Sequence, residues 1–393
     1  MGLDPIVVVG GGLAAARLAT EYRAAGGDAS VTILSAEPDP PYNRPPLTKG
    51  FLRGEMDRDG PLVRPPDEYE DDVVELRLET AAERIDPDAH KVELAGGERV
   101  PYGTLVVATG ARPRELPLPG ADLVGVHTYR TLRDAEAVIA AAEEAHSAIV
   151  IGGSFIGAET AASLRTRGLE VTVVEMGDTL MPQLRCPDLS AELVKLYRSE
   201  GVEVLLSTQL EELTGNGRLL TGARTADGRT LEGFLAIVGV GVVPNVELAE
   251  DAGAEVDNGI VVDELLGTSA EDVFAAGDVA NTPHPRYGRI RVEHWDNAIG
   301  QGEAAARSML GKGEPYTKLP YFFTDQYDLG MEYVGHHGAA DELTIRGSLE
   351  DANFRAYWTA ADGHVTAAMH VNDWDAIDPM RELVEAGGAL PEE

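Results

Sequence analysis

The hydrophobic pattern along the chain repeats. Ile6-Val-Val-Val-Gly-Gly-Gly-Leu-Ala-Ala is a short apolar, β-branched run, then a glycine turn, then an alanine-rich helical stretch. Ile149-Val-Ile-Gly-Gly-Ser-Phe-Ile-Gly-Ala has the same layout, and its first glycine stands 142 positions after that of the earlier copy. Each copy then reaches a second apolar strand, Val31-Thr-Ile-Leu and Val171-Thr-Val-Val-Glu. Strands without a polar face belong to buried parallel sheets, with helices on both sides. The repeat therefore predicts an α/β protein with two units of one type.

Further apolar runs place the boundaries. Tyr102-Gly-Thr-Leu-Val-Val-Ala-Thr-Gly reads as a strand ending in a turn, as does Val273-Phe-Ala-Ala-Gly-Asp. The Pro-rich stretch at Pro113, Pro117 and Pro119 predicts a crossover out of the first unit, and Gly239 to Pro244 the crossover back. The second unit is thus expected to be inserted in the first. After Pro315 the runs become short and alternating, as in Arg355-Ala-Tyr-Trp and His364-Val-Thr-Ala-Ala-Met-His. These predict a small α+β C-terminal domain closed by a helix from about Asp375. The expected domains are 1–115 with 243–315, 116–242, and 316–393.

The glycines supply the first chemistry. Gly10-x-Gly12-x-x-Ala15 follows a strand and opens a helix, where a tight turn and free helix N–H groups suit a pyrophosphate. A generic glycine turn is the plain alternative. Glu37, at the end of the next strand and placed to accept from ribose hydroxyls, favours the nucleotide. Gly152-x-Ser154-x-x-Gly157 is the second copy, with serine at the usual middle glycine. Its hydroxymethyl either crowds the pyrophosphate or donates to it. Glu175 ends the following strand and would repel a 2′-phosphate. Unit charges about 4 Å apart at an effective dielectric near 20 interact by about 4 kcal/mol, enough even when halved to favour NADH over NADPH about tenfold. Two such turns imply two dinucleotide sites in two Rossmann-type domains. Asp278 follows an apolar strand and is either an ordinary turn aspartate or an acceptor for a flavin ribityl chain.

Composition narrows the classes. The formal charge of −35, from 67 acidic and 32 basic residues, repels nucleic acid and anionic membranes. No stretch has the roughly 20 apolar residues of a membrane helix. The apolar run at positions 6–16 is split by three glycines and preceded by Asp4, so it reads as a strand and not as a signal peptide. The single Cys186 excludes an intramolecular disulfide and fits a cytoplasmic protein. It also excludes a dithiol at a flavin, and beside Pro187 it reads as a structural thiol. No metal-ligand spacing is present among His284, His294, His336 and His337.

Longer motifs carry a family resemblance. Pro41-Tyr-Asn-Arg-Pro-Pro-Leu-Thr-Lys49-Gly resembles the signature of NADH-dependent ferredoxin reductases of oxygenase systems. Gly239-Val-Gly-Val-Val-Pro-Asn, Arg291-Val-Glu-His-Trp-Asp-Asn-Ala-Ile-Gly-Gln and Phe322-Phe-Thr-Asp-Gln-Tyr-Asp-Leu resemble its later motifs. Apoptosis-inducing factor and monodehydroascorbate reductase share that architecture. The resemblance covers nearly the whole chain and implies FAD and NADH as cofactors.

It also implies roles. FAD contacts fall at Ala14, Glu37, Lys49, Ala82, Arg130, Asp278 and Trp295, with Gly10, Gly12, Leu13, Arg44, Thr109, Gly110 and Gly277 beside them. Gly152, Ser154, Phe155, Ile156, Gly157, Glu175 and Gly241 fall to the nicotinamide nucleotide. Lys49 would sit beside flavin N5, paired with Glu159, because a buried lysine needs a counter-charge and a cation there stabilises the reduced flavin. A surface lysine in a Pro-rich loop is the alternative. Trp295 would lie against the flavin, and Phe323 stands where many relatives have tryptophan. NADH would give hydride to N5, and single electrons would pass to an iron–sulfur ferredoxin. His284-Pro-Arg-Tyr-Gly-Arg-Ile-Arg291 is a basic cluster where an acidic ferredoxin could dock, through Arg286, Arg289 and Arg291; the alternative is that these arginines neutralise neighbouring carboxylates. A redox-sensing interaction protein and a reductase of a small radical are the rival functions.

Overall fold

The computed structural model describes residues 5–71 and 73–392; Asp4 lies outside them. Contacts divide the chain into two units. The first comprises Met1–Asn43, Pro61–Arg112 and Val243–Tyr321; the second comprises Arg44–Gly60, Pro113–Val242 and Phe322–Glu393.

In the first unit the apolar run Ile6–Val9 becomes the middle strand of a five-stranded sheet. Its order is Val273–Ala275, Thr104–Val107, Ile6–Val9, Val31–Leu34, Val74–Arg77, and every pairing is parallel. All four residues of the middle strand are buried, which is why the sequence shows no alternation there. The helix Leu13–Ala24 packs on the helix Trp295–Met309 so closely that a Cβ at Gly302 would stand 2.4 Å from Ala14 O. A three-stranded antiparallel sheet, Ala82–Asp86, Lys91–Leu94 and Arg99–Pro101, completes the unit's crossover.

The second unit repeats this plan. Its five parallel strands run Val202–Leu205, Glu170–Val174, Ser147–Ile151, Leu235–Val238, Val126–Thr128, again with the glycine-turn strand in the middle. It has its own antiparallel threesome, Leu210–Asn216, Leu219–Thr225 and Thr230–Glu232.

The same unit carries a five-stranded sheet near the C-terminus, in the order Tyr321–Gln326, Leu329–Gly335, Val365–Val371, Asn353–Thr359, Glu342–Ser348. The helix Ile377–Ala386 lies over it, and all seven residues of the central strand Val365–Val371 are buried. Among the described residues no helix is long and apolar enough to cross a membrane.

The loop Arg44–Gly60 joins the second unit for a visible reason. Tyr129 Oη donates to Leu47 O (2.5 Å), Ser163 Oγ to Thr48 O (2.6 Å) and Arg167 Nη1 to Leu52 O (2.9 Å). Each bond satisfies a carbonyl that a loop cannot satisfy internally.

Candidate active site

In the first unit the residues expected to bind FAD gather at the carboxyl ends of the parallel strands, where open α/β sheets bind ligands. Gly10 follows Ile6–Val9 with φ +115°, and a Cβ there would lie 2.2 Å from Ala108 O. Only glycine fits. Gly12 is the N-cap of the helix Leu13–Ala24, without a side-chain cap. A Cβ at Gly12 would meet nothing within 4 Å, so the space before the helix N-terminus is open. Leu13 and Ala14 form the first turn, where helix N–H groups lack intrahelical partners. That is a cradle for an anionic pyrophosphate, and FAD fits it.

The other strand ends converge on the same edge. Glu37 follows Val31–Leu34, its N–H donating to Ser35 Oγ (3.2 Å) and its carboxylate accepting from Tyr42 Oη (2.5 Å). Thr109 and Gly110 follow Thr104–Val107. Asn245 staples them: Thr109 Oγ1 donates to Asn245 O (2.7 Å), and Asn245 Nδ2 returns a bond to Thr109 O (2.9 Å). Gly277 and Asp278 follow Val273–Ala275; Gly277 has φ +83° and its N–H donates to Gln301 Oε1 (2.8 Å). Ala82 is half-buried at the start of its strand. Trp295 opens the helix Trp295–Met309, its indole N–H donating to Asn43 Oδ1 (2.8 Å). Asn43, Asn245 and Gln301 stand inside the family motifs, but nothing in the sequence marks their roles, which come from contacts with distant or neighbouring turns.

The second turn repeats the first with changed details. Gly152 has φ +104°, and a Cβ there would lie 2.3 Å from Gly239 O. A Cβ at Gly157 would come within 2.0 Å of Gly152 O, so the helix Phe155–Thr166 can approach the strand only with glycine. Ser154 is its N-cap and makes no side-chain cap bond. Phe155 meets Phe322 edge to face at 4.8 Å, and Ile156 is half-buried beside it. Glu175 accepts from Gly153 N and Gly177 N, both at 2.6 Å, which fixes the carboxylate at the turn. Gly241, φ +101°, lies past the end of Leu235–Val238 and its carbonyl accepts from Arg114 N (2.9 Å).

The same unit holds the paired charges. Lys49 Nζ stands 2.8 Å from Glu159 Oε1, with side-chain exposures of 12% and 7%. Thr324 Oγ1 donates to the same carboxylate oxygen (2.6 Å) and Thr48 Oγ1 to the other (2.5 Å). Lys49 Nζ also lies 5.3 Å from the centre of the Phe323 ring, a cation–π distance. Removing one member of such a buried pair strands the other and costs about 3–5 kcal/mol. Arg44 Nη1 donates to Arg130 O (3.1 Å), whose own N–H donates to Asp134 (3.0 Å). Arg44, Lys49 and Arg130, expected at the flavin, therefore belong by contacts to the second unit.

The basic cluster looks different in place. Arg289 Nη1 donates to Val262 O (3.0 Å) and Asn281 O (2.6 Å). Arg291, 9% exposed, donates to Asp278 O and pairs with Glu293. Both are tied into their own fold, and Arg289, like Arg286, is exposed. Cys186 caps the helix Pro187–Ser199 and is buried, which pushes its thiol pKa up and disfavours the thiolate. Among the described residues no cluster of three or more His, Cys, Asp or Glu could hold a metal.

Known proteins share this arrangement. Residues 4–302 match the family described as pyridine nucleotide-disulphide oxidoreductase, and residues 321–393 match the reductase C-terminal domain. The chain is 37% identical to rhodocoxin reductase of Rhodococcus erythropolis over 90% of its length and 83% of that protein. It is 35% identical, over 100% of its length and 96% of the relative, to the ferredoxin–NAD(+) reductase component of an anthranilate 1,2-dioxygenase system from Burkholderia cepacia. The covalent putidaredoxin reductase–putidaredoxin complex superposes with a TM-score of 0.94 at 31% identity, covering 98% of this chain and 94% of that one.

The chain belongs to the pyridine nucleotide-disulphide oxidoreductase family. It is an oxidoreductase whose cofactors are FAD and NADH, built on the family scaffold with one buried cysteine and therefore no redox disulfide.

Proposed function

We propose that this protein is an NADH-dependent ferredoxin reductase, taking hydride from NADH and delivering single electrons to a small iron–sulfur ferredoxin. Bound FAD supplies the chemistry that accepts hydride at N5 and releases electrons one at a time. The protein supplies position and charge. Gly10, Gly12, Leu13 and Ala14 hold the FAD pyrophosphate at the first helix N-terminus, and Glu37 accepts from its ribose. Ala82, Thr109, Gly110, Gly277 and Asp278 line the remaining strand ends, with Trp295 against the ring system. Arg44, Arg130 and Lys49 are assigned to the flavin as well, on the family resemblance.

Gly152, Ser154, Phe155, Ile156, Gly157 and Gly241 take the nicotinamide nucleotide, and Glu175 selects NADH by repelling a 2′-phosphate. Lys49, held by Glu159, presents a cation at N5 that favours the negative charge arising on reduction. Phe323 sits over that cation in place of the larger ring. The domains 1–115 with 243–315, 116–242 and 316–393 then serve FAD, NADH and partner contact respectively. Cytoplasmic location is part of the proposal, on the lone reduced cysteine. Arg286 and Arg289 are the exposed members of the basic cluster and the ones placed to meet an acidic ferredoxin.

The observation that carries this proposal is the pair of glycine turns, alike in φ and in the carbonyl each Cβ would strike, on two sheets of one plan. The relatives' names supply the ferredoxin. Anaerobic titration with NADH should bleach the oxidised flavin band, and an unbleached band would sink the proposal. Turnover with a ferredoxin above about one per second, near the low end of ordinary enzymes, is expected. A bleached, long-lived complex without turnover would instead favour the redox-sensing alternative.

A further inference from the structure

Glu159 ends a chain of hydrogen bonds that its partner lysine does not require. Tyr197 Oη donates to Gln326 Oε1 (2.7 Å), Gln326 Nε2 to Thr324 Oγ1 (3.0 Å), and Thr324 Oγ1 to Glu159 Oε1 (2.6 Å). Thr48 Oγ1 donates to the other carboxylate oxygen. Three of these residues come from segments far from Glu159 in sequence, yet all four and the glutamate are buried, with Tyr197 and Thr324 at 0% exposure. A buried polar group survives only with its partners, and here every link depends on the next.

A hydroxyl has one proton to give. With Gln326 Nε2 donating to Thr324 Oγ1, the Thr324 proton is directed to Glu159 Oε1. Tyr197 Oη also lies 2.6 Å from Ala158 O, so its single proton is shared between that carbonyl and Gln326 Oε1. Burial, the largest cause, pushes the Tyr197 pKa well above its ordinary value, with Tyr327 and Glu159 adding to it.

We propose that Thr324, Gln326 and Tyr197, together with Thr48, are positioning residues: a hydrogen-bonded relay that fixes the Glu159 carboxylate in place and thereby holds the Lys49 ammonium at the flavin. This rests on the proposed place of Lys49 at N5. Lys49 alone could pair with a carboxylate in many geometries. Two hydroxyls, one on each oxygen, leave the carboxylate one plane and the ammonium one approach.

The test uses the flavin-loaded protein and its Thr324→Val, Thr324→Ser and Thr48→Val variants, with Lys49→Gln as reference. Readouts are the equilibrium reduction potential of the flavin, the stopped-flow rate of its reduction by NADH, and NADH affinity. Thr324→Val should slow reduction about tenfold, the effect of losing one hydrogen bond to a charged group, and lower the potential while NADH affinity holds. Thr324→Ser should restore all of these to within about twofold, because it keeps the hydroxyl. Thr48→Val should move potential and rate the same way, and it serves if Thr324→Val does not fold. Should Lys49→Gln leave potential and rate unchanged, Lys49 is not at the flavin and the underlying assignment fails. Should Lys49→Gln change them while neither valine variant does, the relay alone is overturned. Failure of Thr324→Ser to rescue Thr324→Val would also overturn it, by showing that packing and not the hydroxyl mattered.

Discussion

The two glycine turns are one device built twice, and they differ where their tasks differ. Gly10 and Gly152 share a left-handed φ and a Cβ path blocked by a carbonyl of the adjoining strand's end. Both are glycine for the same steric reason. Gly12 leaves open space before its helix, whereas Ser154 puts a hydroxymethyl at the equivalent N-cap. The acid after the second strand also differs: Glu37 accepts from a tyrosine hydroxyl, while Glu175 is clamped by two backbone N–H groups. On the helices, Arg17 occupies the position equivalent to Glu159. What the fold needs is thus repeated, and what each nucleotide or the redox step needs is not.

The largest effects should come from the shared glycines. Alanine at either position forces a positive φ and a clash with backbone, which together cost about 3 kcal/mol or more. If the turns divide the cofactors as proposed, Gly10→Ala should purify with its flavin absorbance lost. Gly152→Ala should keep the colour and lose at least about a hundredfold in reduction by NADH, the equivalent of about 3 kcal/mol. The opposite pattern would exchange the two assignments.

Next come the two acids. Glu175→Ala should shrink the preference for NADH over NADPH about tenfold, because it removes the charge that repels the 2′-phosphate. Glu37→Ala should leave that preference alone and weaken flavin retention. Measuring kcat/KM with both nucleotides separates them, and equal changes in preference would mean that neither acid is the selector.

Much of this comparison was visible in the sequence because it is local. A turn that demands glycine, a helix that starts behind it and an acid one strand later all lie within about 30 residues, the length of one strand–helix–strand unit. The expectation of an inserted second unit rested on its proline-marked crossovers. Lys49 and Glu159 were paired only through the family resemblance, since 110 positions separate them and no periodicity links them. Thr48, Thr324 and Gln326 stand inside the quoted motifs with no mark of their role, and Tyr197 left no signal at all. Their bonds span sequence separations of 111, 165 and 129 residues, except the short Gln326–Thr324 link. The attachment of Arg44–Gly60 to the second unit was hidden for the same reason, because it depends on side chains from Tyr129, Ser163 and Arg167. Alternation near the C-terminus predicted strands correctly, but the central strand Val365–Val371 is buried on both faces, since a helix covers the sheet that alternation would have left half-wet.

That C-terminal sheet is a feature the first unit does not share, and it carries a titration of its own. Burial first, then His336 and Arg185, depress the His337 pKa from 6.5 to about 4, against a small opposing pull from Asp341. Tyr333 Oη and His337 Nδ1 lie 2.7 Å apart, a bond in which a neutral ring accepts. The folded pKa is below the unfolded one, so the unfolded state binds more protons between them. Stability from this group is complete above pH 6.5, falls as pH drops toward 4, and levels off below. Discounted for partial exposure, the loss between about pH 7 and 5 is about 1 kcal/mol. Urea unfolding of His337→Gln should show a smaller loss over that interval than the parent protein. An identical loss would place the titration elsewhere.

The smallest effect should be at Ser154, where the two turns differ by one hydroxymethyl. Its side chain makes no cap bond to its own helix, so replacing it costs the fold little; at an N-cap, glycine is only a few tenths of a kcal/mol worse than serine. The nucleotide decides the sign. A hydroxyl donating to the pyrophosphate would make Ser154→Gly bind NADH more weakly, by about 1 kcal/mol or roughly fivefold. A hydroxymethyl that crowds the pyrophosphate would make it bind more tightly. The structure favours the first outcome. Gly153, the neighbour whose Cβ would strike Leu180 at 2.6 Å, already provides the close approach, and Ser154 is half-exposed where the turn opens. Weaker NADH binding in Ser154→Gly, with reduction at saturation unchanged, would mean that the second turn has replaced a bare cradle by one with an added donor. Tighter binding would mean that the serine is tolerated there and contributes nothing.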